Sequence, residues 1–295
     1  MKYMTPKFLP KFFRKLAIIL EMIKIEHTVF ALPFAFMGAL LGVGGLPSGR
    51  QAFFILAAMV GARSAAMAFN RLVDAEVDGL NPRTQNRAIP RGLISRGATL
   101  AFIAASTLIF VWAAANLNRL CLYLSPVALG VVLFYSFTKR FTWASHFFLG
   151  AALGLAPVAG WLAVTGTLAL TPLILGLAVV MWVSGFDILY ALQDEEFDRQ
   201  IGLKSIPCRW GRVKALGVAK LLHLGAALGF VMTGFLAQLG GLYYSACLAA
   251  GVILWGEHRL LSPHDLSRLN QAFFTFNGAI GLLLGAATLF SVWPS

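Results

Sequence analysis

Acidic residues are scarce: only 12 of 295 positions are Asp or Glu, against 24 Lys and Arg. Charged residues of both signs make up 12% of the chain, about half of the roughly 25% found in soluble domains. A soluble globular domain is thereby excluded. Three cysteines, Cys121, Cys208 and Cys247, share no ligand spacing, so neither a disulfide framework nor a zinc site is expected. The five histidines form no HExxH pattern and read as structural. The glycine run at 42–50, GVGGLPSGR, neither follows a strand nor opens a βαβ unit, which excludes a dinucleotide fingerprint.

What remains is apolar. Hydrophobic residues are 59% of the sequence and the mean hydropathy is +0.77, the composition of a helical integral membrane protein forming one membrane domain over residues 1–295. Nine apolar stretches are predicted as spans, at 25–45, 51–73, 98–117, 119–137, 144–164, 170–190, 213–237, 240–256 and 271–292. Several approach the ~20 residues needed to cross the hydrocarbon core.

The net charge of +12 belongs to orientation rather than to nucleic acid. Lys2, Lys7, Lys11, Arg14, Lys15 and Lys24 precede the first span, and Arg71, Arg83, Arg87, Arg91 and Arg96 follow the second. Lys139 and Arg140, then Arg199, Lys204, Arg209 and Arg212, then Arg259 and Arg268, follow the fourth, sixth and eighth, while the opposite loops carry only Arg50 and Arg119. This positive-inside pattern predicts a cytoplasmic N-terminus and an outer C-terminus. Residues 1–24 read as a cytoplasmic segment whose basic and bulky apolar residues suit an interfacial helix; no small-residue cleavage site marks a signal peptide. Two longer cytoplasmic loops, 79–97 and 199–212, are polar, basic and proline-broken, the character of a cap over a binding site.

Eight of the twelve acids fall in two clusters, Asp74, Glu76, Asp78 and Asp187, Asp194, Glu195, Glu196, Asp198. A chain this apolar places charge only where it is needed. Asp74/Asp78 and Asp194/Asp198 are each four apart, which puts both carboxylates on one helical face. Asn70 and Arg63 continue the first stripe inward, and Asp187 and Tyr190 continue the second; Glu76, Glu195 and Glu196 point away. The second and sixth spans cross in the same direction, so both stripes reach the cytoplasmic face. Carboxylate and amide oxygens are hard ligands suited to Mg²⁺ with substrate phosphates, and Asp187 and Arg63 within spans require partners in a polar cavity. Lys139 and Arg140 on the same face read by themselves as an orientation signal; as a second clamp on a diphosphate they rest on the resemblance below. The competing class is a cation-coupled membrane transporter, whose acids would lie near the midplane on broken helices.

The motifs N-R-L-V-D-A-E-V-D at 70–78 and D-I-L-Y-A-L-Q-D-E-E-F-D at 187–198 resemble the signatures of the UbiA superfamily of intramembrane prenyltransferases. The resemblance implies an all-α polytopic fold, nine transmembrane helices in a ring around a central cavity beneath a cytoplasmic cap. It implies Mg²⁺ and diphosphate bound by Asn70, Asp74, Asp78, Asp194 and Asp198, diphosphate contacts from Arg63 and Lys139, substrate binding by Arg140, and Asp187 and Tyr190 at the active centre. The segments IEHTVFALPFA, NPRTQNRAIPRGLIS and EFDRQIGLKSIP resemble the 4-hydroxybenzoate polyprenyltransferase branch. They also resemble, as the alternative, its close relatives that prenylate 1,4-dihydroxy-6-naphthoate in the futalosine route to menaquinone. The implied partners are a polyprenyl diphosphate, an aromatic acid and membrane lipid, with no nucleic acid and no obligate protein partner, in the inner membrane with the site facing the cytoplasm. Arg83 or Arg87 stands beside Arg140 as a partner for the aromatic carboxylate.

Overall fold

The computed structural model describes residues 11–23, 28–263, 265–269 and 275–293, and these are all-helical. Among the described residues twelve α-helices follow one another: α1 Lys11–Met22, α2 Thr28–Val43, α3 Gly49–Val73, α4 Ala75–Leu80, α5 Arg96–Leu117, α6 Arg119–Thr138, α7 Ser145–Thr165, α8 Leu170–Ala191, α9 Glu195–Gln200, α10 Ile206–Leu236, α11 Gly241–Leu260 and α12 Asn277–Val292. Among the described residues six helical segments are long and apolar enough to cross a membrane, those beginning at Gly49, Arg96, Arg119, Ser145, Leu170 and Ile206; the apolar stretches Ala31–Val43 and Asn277–Val292 are shorter. The remaining predicted stretch, 240–256, falls within α11. Residues 25–27 and 271–274 of the first and last predicted spans lie outside the described residues.

Local chemistry sets the helix ends. Ser48, Ser95, Asn118 and Ser205 each accept a backbone N–H from the first turn that follows, and Ser48 forms a full capping box with Gln51. Each cap satisfies one of the amides a helix start leaves orphaned. α7 stops at Gly166, whose φ of 68° is left-handed backbone that glycine adopts without steric cost. Pro33, Pro126 and Pro157 lie inside helices, as membrane helices tolerate. The 199–212 segment is less of a loop than expected: Pro207 in the first turn after the Ser205 cap starts α10 early, and the break comes at Gly211 with φ 74°.

α8 is the central pillar, packed against α7 and α10, with Trp182, Val183 and Ser184 wholly buried. Outward faces are apolar and open: Leu108, Leu221 and Leu248 are 70%, 71% and 72% exposed, an apolar surface that only lipid or a partner would cover. With no solvent gain from clustering in lipid, close backbone contact between small residues holds such helices together. α2 and α7 use it twice. A Cβ on Gly38 would overlap the Pro157 carbonyl oxygen, and one on Gly160 the Ala35 carbonyl oxygen. Because rigid backbone cannot yield there, Gly160→Val is expected to destabilise at the upper end of the roughly 1–3 kcal/mol usual for overpacking. Thermal unfolding in micelles checks this, with Gly97→Ala, whose Cβ would meet nothing within 4 Å, remaining near wild type.

A buried polar chain ties the far side. The Trp182 indole donates to Asn277 Oδ1 at 2.7 Å, and Asn277 Nδ2 donates to Glu257 Oε1 at 3.0 Å, joining α8, α12 and α11. Glu257 stands outside the two acidic clusters, and this amide partner is how a carboxyl inside a helix bundle is accommodated.

Candidate active site

Each acidic pair straddles a break in its helix. α3 stops at Val73, Asp74 has φ −90° and ψ 5°, and α4 then carries Asp78. α8 stops at Ala191, a 3₁₀ turn runs from Leu192 to Asp194, and Asp194, with φ −105° and ψ 2°, precedes α9 with Asp198. The continuous helical face expected from the spacing is thus a kinked one. Asp is a poor helix former, since its side chain competes for local backbone donors, and both first aspartates occupy the bridge region frequented by active-site residues. The four-residue relation survives in the first pair, where the Asp78 amide donates to the Asp74 carbonyl at 2.7 Å.

The two breaks face one polar cavity of about 200 Å³. Asn70, Asp74, Asp78, Lys139, Arg140, Asp187, Tyr190, Asp194 and Asp198 line it; Arg63 does not. Arg63 lines a second, almost wholly apolar cavity of about 190 Å³ between α3, α5, α6 and α7. Tyr135 and Leu149 line both, so the polar and apolar spaces adjoin at these two side chains. Sequence reading passed over Tyr135, although it sits one turn before Lys139.

Every cavity aspartate has a local partner. Asp194 takes a bidentate Arg83 guanidinium, Nε at 2.8 Å and Nη2 to the other oxygen, plus Asn81 Nδ2 at 3.2 Å. Arg87 Nη1 reaches both oxygens of Asp78 at 2.6 and 2.7 Å. Asp74 takes Arg140 Nη2 at 2.9 Å and Asn70 Nδ2 at 2.9 Å, while Arg140 also caps the Ser136 and Val73 carbonyls. Lys139 Nζ is 4.0 Å from Asp198 Oδ2, an oxygen that is buried and takes no hydrogen bond. Asp187 accepts from His146 at 2.6 Å. Arg83 further donates to the Tyr190 hydroxyl at 3.2 Å and lies over its ring.

Charges tune one another here. Burial alone would lower the Lys139 pKa, but Asp198, Asp187, Asp194 and Asp74 outweigh it and hold the ammonium above its ordinary range. Arg83 shows the same contest, burial against the Asp194 carboxylate, resolved upward. Burial raises the Asp74 carboxyl above the usual range despite the Arg140 hydrogen bond.

Glu76 does point to solvent, paired with Arg96, and Glu195 turns to Arg199 and Arg212. Among the described residues no three His, Cys, Asp or Glu side chains close on one point in metal-ligand geometry. The donor set nevertheless fits a hard divalent cation: five carboxylates, one of them with the orphaned Asp198 oxygen, and the Asn70 and Asn81 amides lie around one cavity, and imidazole or thiolate ligands do not. Asn81, Arg83, Arg87 and His146 went unread as partners of the acids. The only signal for the first three was the polar 79–97 segment, and for His146 none.

Residues 31–279 match the UbiA prenyltransferase family. The chain is 30% identical over 249 residues to a 4-hydroxybenzoate octaprenyltransferase of Yersinia pseudotuberculosis serotype O:1b (strain IP 31758), covering 84% of this chain and 86% of that protein. The apo structure of a UbiA homolog from Aeropyrum pernix K1 superposes with a TM-score of 0.82 at 33% identity, over 90% of this chain and 98% of that one. A UbiA homolog from Archaeoglobus fulgidus bound to DMAPP and Mg²⁺ shares the fold at a TM-score of 0.74 and 21% identity, over 93% and 98%. With the two motif-bearing helix breaks gathered on one cavity and a family match spanning most of its length, the chain belongs to the UbiA prenyltransferase family.

Proposed function

We propose that this protein transfers a polyprenyl group from a polyprenyl diphosphate to a ring carbon of an aromatic acid of the 4-hydroxybenzoate type, with Mg²⁺, in respiratory quinone biosynthesis. The observation that carries this reading is the junction at Tyr135 and Leu149 of a charged cavity with an apolar one. A diphosphate and a prenyl chain are joined at one carbon and need such a pair of spaces. The basic loops support nine crossings with the N-terminus inside and the cavity opening to the cytoplasm.

Asn70, Asp74, Asp78, Asp194 and Asp198 would hold Mg²⁺, which supplies charge stabilisation to a diphosphate leaving group. Lys139 would bind diphosphate oxygens within the polar cavity, Arg63 would approach them from the adjoining apolar chamber beside Tyr135, and Arg140, with Arg83 and Arg87 on the same cavity, offers a cation to substrate carboxylate or phosphate. As the allylic C–O bond breaks, its electron pair leaves with the diphosphate; preorganised cations stabilise that developing charge. The ring carbon then bonds to the prenyl carbon, and the ring proton passes to Asp187 or the departing diphosphate. The alanine- and leucine-lined chamber keeps water from the allylic cation, and Tyr135 stands at its mouth.

The decisive assay incubates purified protein with geranylgeranyl or longer diphosphates, Mg²⁺, and either 4-hydroxybenzoate or 1,4-dihydroxy-6-naphthoate, with mass identification of the products. A C-prenylated 4-hydroxybenzoate is expected. Product from the naphthoate alone would move the acceptor; cation flux in liposomes with no prenyl product would replace the enzyme by a transporter.

A further inference from the structure

His146 is wholly buried in the first turn of α7 and is bonded to two other helices, α8 and α10. Its Nδ1 lies 2.6 Å from Asp187 Oδ2 in α8, its Nε2 lies 3.3 Å from the Ile206 amide at the start of α10, and its carbonyl accepts the Ser184 hydroxyl at 3.1 Å. The Ile206 N–H can only donate, so Nε2 must accept and carries no proton. Nδ1 therefore bears the hydrogen and donates it to Asp187, a tautomer dictated by the hydrogen bond at the other nitrogen. A hydrogen on Nε2 would set N–H against N–H at Ile206, so the same contact excludes the Nε2–H tautomer. Asp187 has an 18% exposed side chain and lines the polar cavity, where Lys139 and Tyr135 also stand.

We infer that His146 is a positioning residue: as a neutral Nδ1–H donor braced by the Ile206 amide, it fixes which oxygen of Asp187 is held back and which face of that carboxylate meets the substrate. This rests on the prenyl transfer proposed above. The same bond reports the docking of α10 to the helix that carries Asp187, since losing either contact frees the imidazole. Lys204, two residues before Ile206, is tied by its amide to the Lys139 carbonyl at 2.8 Å and by its ammonium to the Phe141 carbonyl at 3.2 Å. The start of α10, Lys139 and Asp187 are thus held in one frame.

His146→Ala is expected to lower kcat about 10²-fold, the scale of an ångström's misplacement of a catalytic group, with the KM for prenyl diphosphate unchanged. His146→Gln, whose amide can donate to Asp187 and accept from Ile206, should recover kcat to within about fivefold of wild type. In an Asp187→Ala background His146→Ala should cost less than about twofold more, because a residue acting through Asp187 has nothing left to position. Full activity in His146→Ala, equal additive losses in the double variant, or a folded Gln variant as weak as Ala would each overturn the inference. A readout free of turnover separates it from the proposed function: ¹⁵N-histidine NMR of the micellar protein should show one of the five imidazoles neutral and protonated at Nδ1, altered by Asp187→Ala. If the wild type transfers no prenyl group while this signal is present, the proposed function fails and the His146–Asp187 bond stands. Absence of the signal overturns the bond itself.

Discussion

Asp74→Ala and Asp194→Ala should each lower prenyl transfer by about 10³-fold or more, beyond the 10²–10³ typical of one preorganised electrostatic contact, while the protein still inserts and folds. Each change removes two oxygens from the set expected to hold Mg²⁺ and releases a cation from its partner. Asp194→Ala frees the Arg83 guanidinium and the Asn81 amide; Asp74→Ala frees Arg140. The Arg83 and Arg140 side chains are 34% and 35% exposed, so both can turn to water, and the exposed part of each ion pair is screened and contributes little to stability. Loss of function without loss of fold is therefore the expected signature. Glu76→Ala, removing an 83% exposed carboxylate paired with Arg96, is the control and should retain full activity. Product quantified by mass spectrometry beside a thermal melt decides the matter, and normal turnover in either aspartate variant would count against the assigned site.

Chelation should stop the wild-type reaction completely, and added Mg²⁺ should restore it. The charge count around the cavity explains why. Asp74, Asp78, Asp187, Asp194 and Asp198 are lined up against Arg71, Arg83, Arg87, Lys139 and Arg140, five formal charges of each sign. The cations are already engaged by carboxylates and backbone carbonyls, so a diphosphate entering this space would meet no net positive charge. Bringing several further negative charges into a partly buried site without compensation is strongly unfavourable. Divalent cations on the aspartates would release the guanidiniums and Lys139 toward the diphosphate. Undiminished transfer in excess EDTA would sever the metal from this scheme.

Composition and periodicity were enough for the membrane class and for the positions of the apolar helices, because lipid imposes length and hydropathy on each span independently of its neighbours. The acidic stripes were legible for a similar reason: carboxylates in so apolar a chain stand out one by one, and a spacing of four is a local property. Glu76 and Glu195 fell away from the cavity as their phase on the helix required. Arg63, by contrast, was read on the stripe of Asn70 and Asp74 and lies instead on the apolar chamber, since its depth along α3 carries it past the end of the polar cavity. The reach of Arg83 across to Asp194 and the seating of His146 between Asp187 and Ile206 had no local mark. They join residues 41 to 111 positions apart in the chain, and such pairings exist only once α7, α8 and α10 have packed. The sequence by itself determined that this is a membrane protein carrying two aspartate pairs of prenyltransferase type; tertiary structure alone decided which cation faces which acid, because an ion pair between distant segments is chosen by packing geometry rather than by spacing along the chain.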